Sequence, residues 1–237
     1  MKYIGFIPCR AGSVRVQSKN TKPFAGNREG LVGRKLRQMA AVRQFEEIIV
    51  STDDELVKNT CADVADDLKD RRITVLDRPP ELALSGTLDD FVTHVASLRE
   101  HGVLFWTHVT SPFFASNAMT DAITAYEINV LRGEHDSLMG VTPIRDFFWR
   151  GGVCISHDRK AVKWPQTQDI APFHEVNSSV FMYDIAEMRR KSDRIGDAPF
   201  LFEMDKRTGF DVDWPEDFHI AEIMAHDENV RLLERAY

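Results

Sequence analysis

Tyr3-Ile4-Gly5-Phe6-Ile7-Pro8 is a short apolar run with aromatic and β-branched residues, and it reads as a buried strand. A polar, basic, glycine-containing loop follows from Cys9 to about Gly30, and then a helical pattern over Leu31–Arg43. The same unit repeats. Glu47–Ser51 reads as a second strand, and the pattern through Leu56, Val57, Cys61, Val64 and Ala65 as a helix opening near Asp53 and Asp54. Ile73–Leu76 and Val103–Trp106 are further strands, with a helix between them over about Thr87–Arg99. Met119, Ala122, Ile123, Tyr126 and Val130 then recur at helical spacing across Ala118–Val130. Strands that alternate with helices imply βαβ units and a mainly parallel sheet, so the chain is read as α/β. Ligands of such sheets bind beyond the carboxyl ends of the strands. That points to the loops at residues 9–30, 51–54, 77–86 and 107–114.

Beyond Asp136 the texture changes. Ser137–Val141, Phe147–Arg150, Val153–Ser156 and Ser178–Tyr183 read as strands, with Gly151-Gly152 as a hairpin turn. A long polar stretch from Asp158 to Glu175 has the character of a lid or an oligomer arm. Phe210–Asp213 is read as extended, and Pro215-Glu216-Asp217 carries the proline and acids of a helix start. No repeat or linker divides the 237 residues, which are read as one domain.

Composition excludes several classes. No apolar run approaches the roughly 20 residues a membrane-spanning helix needs, and Arg10 and Ser13 interrupt the N-terminus where a secretory leader would be apolar. Three widely spaced cysteines, with no C-x-x-C, fit a reducing cytoplasm better than a disulfide or zinc scaffold. The eight histidines show no zinc spacing, and no G-x-S-x-G elbow is present. The formal net charge of −7 hides an asymmetry: residues 1–43 carry ten Lys and Arg against one acid, Glu29. A basic segment on an acidic chain suggests a local anion site, although from charge alone a solvated loop and helix surface is the preferred reading. Without interleaved aromatics the segment does not read as a nucleic-acid surface.

The same segment contains Arg10-Ala11-Gly12-Ser13 and then Lys19-Asn20. A small turn at a strand end can present backbone N–H groups to a phosphate, and Arg10 and Lys19 add positive charge. Asn20 offers both a donor and an acceptor, as a nucleobase edge requires. The spacing is that of neither a P-loop nor G-x-G-x-x-G. In Asp211-Val212-Asp213 an extended backbone turns two carboxylates to one face, where they suit a hard cation such as Mg2+. Helix capping by Asp213, and likewise by Asp53, is the simpler alternative.

In sequence order these segments resemble the CMP-sugar-acid synthetases, the acylneuraminate cytidylyltransferase family. The opening motif stands as Ile7-Pro8-Cys9-Arg10-Ala11-Gly12-Ser13, then Lys19-Asn20, followed by Ile49-Val50-Ser51-Thr52-Asp53. Arg78-Pro79-Pro80-Glu81-Leu82-Ala83, Thr110-Ser111-Pro112, Gln168-Asp169-Ile170-Ala171-Pro172 with Asn177-Ser178-Ser179-Val180-Phe181, and Asp211-Val212-Asp213 with Asp217 complete the series. Where the family usually has lysine this chain has Val14, with Arg15 adjacent; where it usually has glutamine before T-S-P, His108 stands; and Phe113-Phe114 replace a frequent basic residue.

The resemblance implies a Rossmann-like three-layer nucleotidyltransferase fold with a small dimerisation extension, at about residues 144–176. It implies Mg2+-dependent transfer of CMP from CTP to the hydroxyl of an acidic sugar, in a cytoplasmic homodimer. Arg10, Ala11, Gly12, Ser13, Arg15, Lys19, Asn20 and Arg78 would bind the nucleotide. Asp211 and Asp213 would hold the metal, and with Arg10 and Lys19 would form the catalytic set. His108, Thr110, Ser111, Gln168 and Asn177 would face the acceptor. No general base is evident; His108 and metal-assisted deprotonation are the two candidates. A phosphonate or phosphorylated alcohol as acceptor, or an inactive nucleotide-binding homologue, are the alternatives.

Overall fold

The computed structural model describes residues 1–12, 15–84 and 88–227. The strands β1 (Tyr3–Cys9), β2 (Phe45–Thr52), β3 (Ile73–Asp77) and β4 (Val103–Trp106) pair in parallel, in the spatial order β3-β2-β1-β4. The sheet continues through β8 (Phe173–Asp184), β5 (Ser137–Ile144) and β9 (Pro199–Glu203). β8 runs antiparallel to both β4 and β5, while β9 is parallel to β5, so four of the six pairings are parallel. The mainly parallel α/β sheet expected from the alternation is therefore the observed one, with a single reversed strand.

Side chains alternate across the sheet as the period of two requires. Ile7 and Cys9 of β1 face one core with α1 (Gly30–Ala40), α2 (Glu55–Leu68), α5 (Ser116–Asn129) and α7 (Pro215–His226). Ile4 and Phe6 face the other with α4 (Asp89–Ser97) and α6 (Ile185–Lys191). This makes three layers. Each fully buried Phe, Ile or Leu contributes about 1.5–3 kcal/mol. Among the described residues no helix is long and apolar enough to cross a membrane.

Several boundaries differ from the sequence reading. β9, α6 and the short α3 (Pro80–Leu84) are additional elements. The Phe147–Arg150 and Val153–Ser156 segments contract to β6 (Trp149–Arg150) and β7 (Val153–Cys154), because only two cross-strand pairs form around the turn. Gly151 and Gly152 both have positive φ (56° and 81°), as a tight hairpin turn needs. The 158–175 stretch is not wholly irregular: Thr167–Asp169 forms a 3-10 turn, and β8 begins at Phe173.

The loop after β1 is fastened to α1. Asn20 accepts a backbone bond from Val32 at 3.0 Å, and Gly30 has φ +64°. A Cβ at Gly30 would stand 2.8 Å from the Asn20 and Lys22 carbonyls, so only glycine lets the chain turn so close to the loop.

Candidate active site

The carboxyl ends of β1 and β4 and the segment before α7 converge. A narrow cleft of about 160 Å3 is lined by Arg10, Arg15, Lys19, Asn20, His108 and Thr110. A wider one of about 620 Å3 is lined by residues including Asn177, Lys206, Asp211, Asp213, Trp214 and Asp217. They meet where the Val212 N–H donates to the Thr110 carbonyl at 2.8 Å. Residues from four separated segments thus share one place at the strand ends.

Lys19 is the hinge of this arrangement. Its Nζ donates to the Val212 carbonyl at 2.8 Å and stands 3.8 Å from the Asp213 carboxylate. Burial pushes its pKa down, and the charges of Asp213 and Asp211 push it back up. Arg15 pairs with Asp213 at 3.2 Å while its guanidinium lies 4.9 Å from the Trp214 ring centroid. The basic loop and the acidic segment, nearly 200 residues apart, are one electrostatic unit.

Asp213 does not cap α7, so the simpler reading of that residue fails. The capping carboxylate belongs to Asp217, which accepts from the backbone N–H groups of Asp213 and Trp214 at 3.0 and 2.7 Å. Asp213 is left to face Arg15 and Lys19. Asp211 is half-buried, its Oδ1 is buried without a hydrogen-bond partner, and burial raises its pKa, with Asp213 adding to the rise and the Thr110 hydroxyl opposing it. An orphaned carboxylate oxygen beside a second carboxylate is a hard donor pair, and Mg2+ is characteristically held by one or two carboxylates with substrate phosphates completing its shell. The residues fit that ion. Among the described residues no group of three or more His, Cys, Asp or Glu forms a metal cage.

Asp53 does not cap either; Asp54 does, accepting from Leu56 N–H at 2.9 Å. Asp53 Oδ1 instead accepts from the Ala11 N–H at 2.7 Å. That amide is therefore committed to a carboxylate, and Ala11 offers no donor to a phosphate, contrary to the sequence expectation. Gly12 beside it has φ +73° and open space where a Cβ would stand. Ser13 and Val14 lie outside the described residues. The Asn20 side chain is buried and donates to the Arg10 carbonyl at 3.2 Å, bracing the loop from within.

Four further expectations change. Arg78 does not line either cleft: it is buried, its guanidinium stacks on Phe91 at 4.0 Å, and burial lowers its pKa. Ser111 is fully buried and lines neither cleft: its hydroxyl is buried without a hydrogen-bond partner, and its carbonyl accepts from Lys35 Nζ at 2.8 Å. Gln168 is exposed on the Thr167–Asp169 turn, away from both clefts. His108 lines the narrow cleft, in surroundings that disfavour a general-base role. Its Nε2 accepts from Trp106 Nε1–H at 2.8 Å, and burial, with Arg194, Lys35, Lys19 and Arg78 nearby, holds its pKa at about 3. Asn177 is buried at the wide cleft, donating to Thr142 Oγ1 at 3.0 Å and accepting from Ser179 N–H at 3.1 Å.

Comparison with known proteins gives the chain's family and fold. The family model described as cytidylyltransferase matches residues 4–129, from β1 to the end of α5. An N-acylneuraminate cytidylyltransferase of Streptococcus agalactiae serotype III (strain NEM316) is 26% identical over 247 residues, covering 98% of this chain and 55% of that protein. The chain thus spans about half the length of the curated relatives of that kind. Among solved structures, a CMP:2-keto-3-deoxy-manno-octonic acid synthetase complexed with CTP superposes with TM-score 0.66 at 13% identity, covering 96% of this chain and 100% of that one. A 4-diphosphocytidyl-2C-methyl-D-erythritol synthase from Anaerococcus prevotii DSM 20548 gives TM-score 0.65 at 14% identity, covering 95% and 97%. At these identities the two structures attest the fold.

Proposed function

The chain belongs to the cytidylyltransferase family, and from that premise we propose that it transfers CMP from CTP to the hydroxyl of an acidic sugar. One observation carries the reading: Lys19 joins the basic loop to the Asp211-Val212-Asp213 segment, so the cations of the narrow cleft adjoin the carboxylates of the wide one. A site that only bound nucleotide would have little use for the second group.

In this reading the acceptor hydroxyl gives up its proton to solvent and its oxygen bonds to the α-phosphorus, as the bond from that phosphorus to the oxygen bridging to the β-phosphate breaks and pyrophosphate leaves. Negative charge grows on the phosphoryl oxygens and on the leaving group. Arg10, Arg15 and Lys19 stabilise that charge from positions already fixed by the fold. Asp211 and Asp213 would hold Mg2+, which would supply charge neutralisation and alignment of the phosphates. Asn20 presents the cytosine-facing wall, and Thr110 and Asn177 bound the acceptor side. His108, neutral and hydrogen-bonded to Trp106, orients without exchanging protons. The homodimer expected of the family is supported by exposed apolar side chains gathered between residues 149 and 176, among them Trp149, Val153, Val162, Trp164 and Phe173.

A second reading keeps CTP but makes the acceptor a phosphorylated alcohol. It is favoured by Phe113 and Phe114, buried side chains that follow the Thr110-Ser111-Pro112 segment and bring no cation to it. The discriminating experiment follows pyrophosphate release with CTP, Mg2+ and a panel of sugar acids, phosphonates and phosphorylated alcohols. Release with a sugar acid supports the first reading, and release only with the others supports the second.

A further inference from the structure

The wall of the wide cleft contains a backbone irregularity. β5 and β8 pair in one register through Met139 and Phe181 and in another from Val141 and Val176, so residues 177–180 stand opposite Gly140 alone. Ser178 sits in this bulge with φ 57°, in the left-handed region. That region is free to glycine and costly to a residue with a Cβ. Within the protein the serine hydroxyl returns nothing for the strain. Ser178 is half-buried and lines the cleft, and among the described residues its hydroxyl has no hydrogen-bond partner. Bulges recur beside binding sites, where they re-aim a side chain.

A cation lines the same cleft. Among its described lining residues Lys206 is the one cation, beside the carboxylates of Glu175, Asp211, Asp213 and Asp217. Local chemistry fixes the loop that carries it. The Asp205 carboxylate accepts from the Arg207 N–H, the Thr208 N–H and the Thr208 hydroxyl at 2.8, 2.9 and 2.8 Å. Gly209 then packs on the base of the bulge: a Cβ there would stand 2.6 Å from both Asn177 Nδ2 and Thr142 Oγ1. Asn177 therefore seats the Lys206 loop and immediately precedes Ser178. Among the described residues the Lys206 ammonium has neither an ion pair nor a hydrogen bond.

An anionic acceptor entering this cleft meets like charge, and it needs donors of opposite character to be held there. Resting on the proposed function, we propose that Ser178 and Lys206 form the subsite for the acceptor's carboxylate, to which the hydroxyl and the ammonium group both donate. The strained serine is then a specificity residue, kept at a cost to the fold.

Steady-state pyrophosphate release is compared for wild type, Ser178→Gly and Lys206→Met. The substrates are CTP, Mg2+ and whichever of N-acetylneuraminate and 2-keto-3-deoxy-manno-octonate wild type uses, together with the methyl ester of the same acid. Lys206→Met is expected to raise the KM for the acid about tenfold or more, as loss of a charge-assisted hydrogen bond does, and to leave the KM for CTP within about twofold. It should also erase the preference of wild type for the acid over its ester, which a merely structural role would not do. Ser178→Gly is expected to raise the same KM about fivefold, the weight of one hydrogen bond. Its Tm should hold or rise, because glycine adopts φ 57° without strain. An unchanged KM for the acid in either variant overturns the proposal. So does a Tm lowered by more than about 4 °C in Ser178→Gly with both KM values raised alike. Wild type that uses neither acid overturns the functional reading and this subsite with it; wild type that turns over while the variants match it overturns the subsite alone.

Discussion

Lys19 Nζ donates a 2.8 Å hydrogen bond to the carbonyl of Val212, 193 positions further along the chain. That contact brings the ammonium group within 3.8 Å of the Asp213 carboxylate and closes the basic loop onto the acidic segment. Replacing Lys19 with methionine keeps most of the stem and removes the donor and the charge. Turnover is expected to fall by about 100-fold or more, as for other preorganised oxyanion donors, with Tm lowered by only a few degrees. Steady-state pyrophosphate release checks the first effect and thermal unfolding the second.

Asp213→Asn removes the proposed metal-binding carboxylate together with its ion pairs to Arg15 and Lys19. Asp213 and Arg15 are each about half-exposed, so their pair is worth under about 1 kcal/mol. The variant should therefore keep its fold while losing most of its Mg2+-dependent activity. Near-normal turnover in Mg2+ would remove Asp213 from the metal site.

Asp211 gives a prediction with a definite sign. Its folded-state pKa is raised above the ordinary aspartate value, chiefly by burial. A raised value means that folding favours the protonated carboxyl, and that this contribution is lost as pH rises through the raised pKa. At neutral pH the ionised, partly desolvated carboxylate is a liability. Asp211→Asn should then gain about 1 kcal/mol at neutral pH, about 2–4 °C in Tm for a chain of this size, and lose that advantage in acid. Activity should vanish in the same variant if Asp211 holds the metal as proposed, because a neutral amide cannot replace a metal-binding carboxylate. A lower Tm at neutral pH would contradict this account of the site.

His108 tests the protonation argument. Glutamine at this position can still accept from the Trp106 N–H, so His108→Gln should retain activity within about tenfold. His108→Phe leaves the indole N–H without its partner and should cost about 1–3 kcal/mol. A loss far beyond tenfold in the glutamine variant, with an altered pH–rate limb, would mean that His108 moves a proton after all.

Asp53→Ala should act on the loop rather than on the chemistry. Without the Asp53 carboxylate the Ala11 N–H loses a 2.7 Å charge-assisted bond, worth about 1.5–3 kcal/mol. The expected signature is a raised KM for CTP with kcat less affected, measured in the same pyrophosphate assay.

Much of this was legible in the sequence because it is periodic. The first four strands and the helices between them carry strong apolar patterns, and Pro215-Glu216-Asp217 opens α7 as its chemistry demands. β9 escaped because PFLFE is a short edge segment beginning with proline, only partly buried along its length. α6 escaped because it follows β8 directly, with Asp184 as both the strand's last residue and the helix cap. At the site, spacing showed which residues exist but not which neighbour each would choose. Asp53 and Asp54 are adjacent, and only the register of β2 against β1 decides which reaches Ala11. Arg78 left the expected nucleotide pocket because Phe91, from a helix beyond the loop, offered its ring. Those choices are tertiary, and no local pattern encodes them.

The central claim is that the cleft at Lys19 and Asp213 cleaves CTP at its α-phosphorus. Phosphorus NMR of the chain with CTP, Mg2+ and a sugar acid tests it most directly. The account predicts that the α resonance moves to that of a phosphodiester while the β and γ phosphates appear together as pyrophosphate. Release of inorganic phosphate, or CTP left intact across the whole acceptor panel, would contradict it.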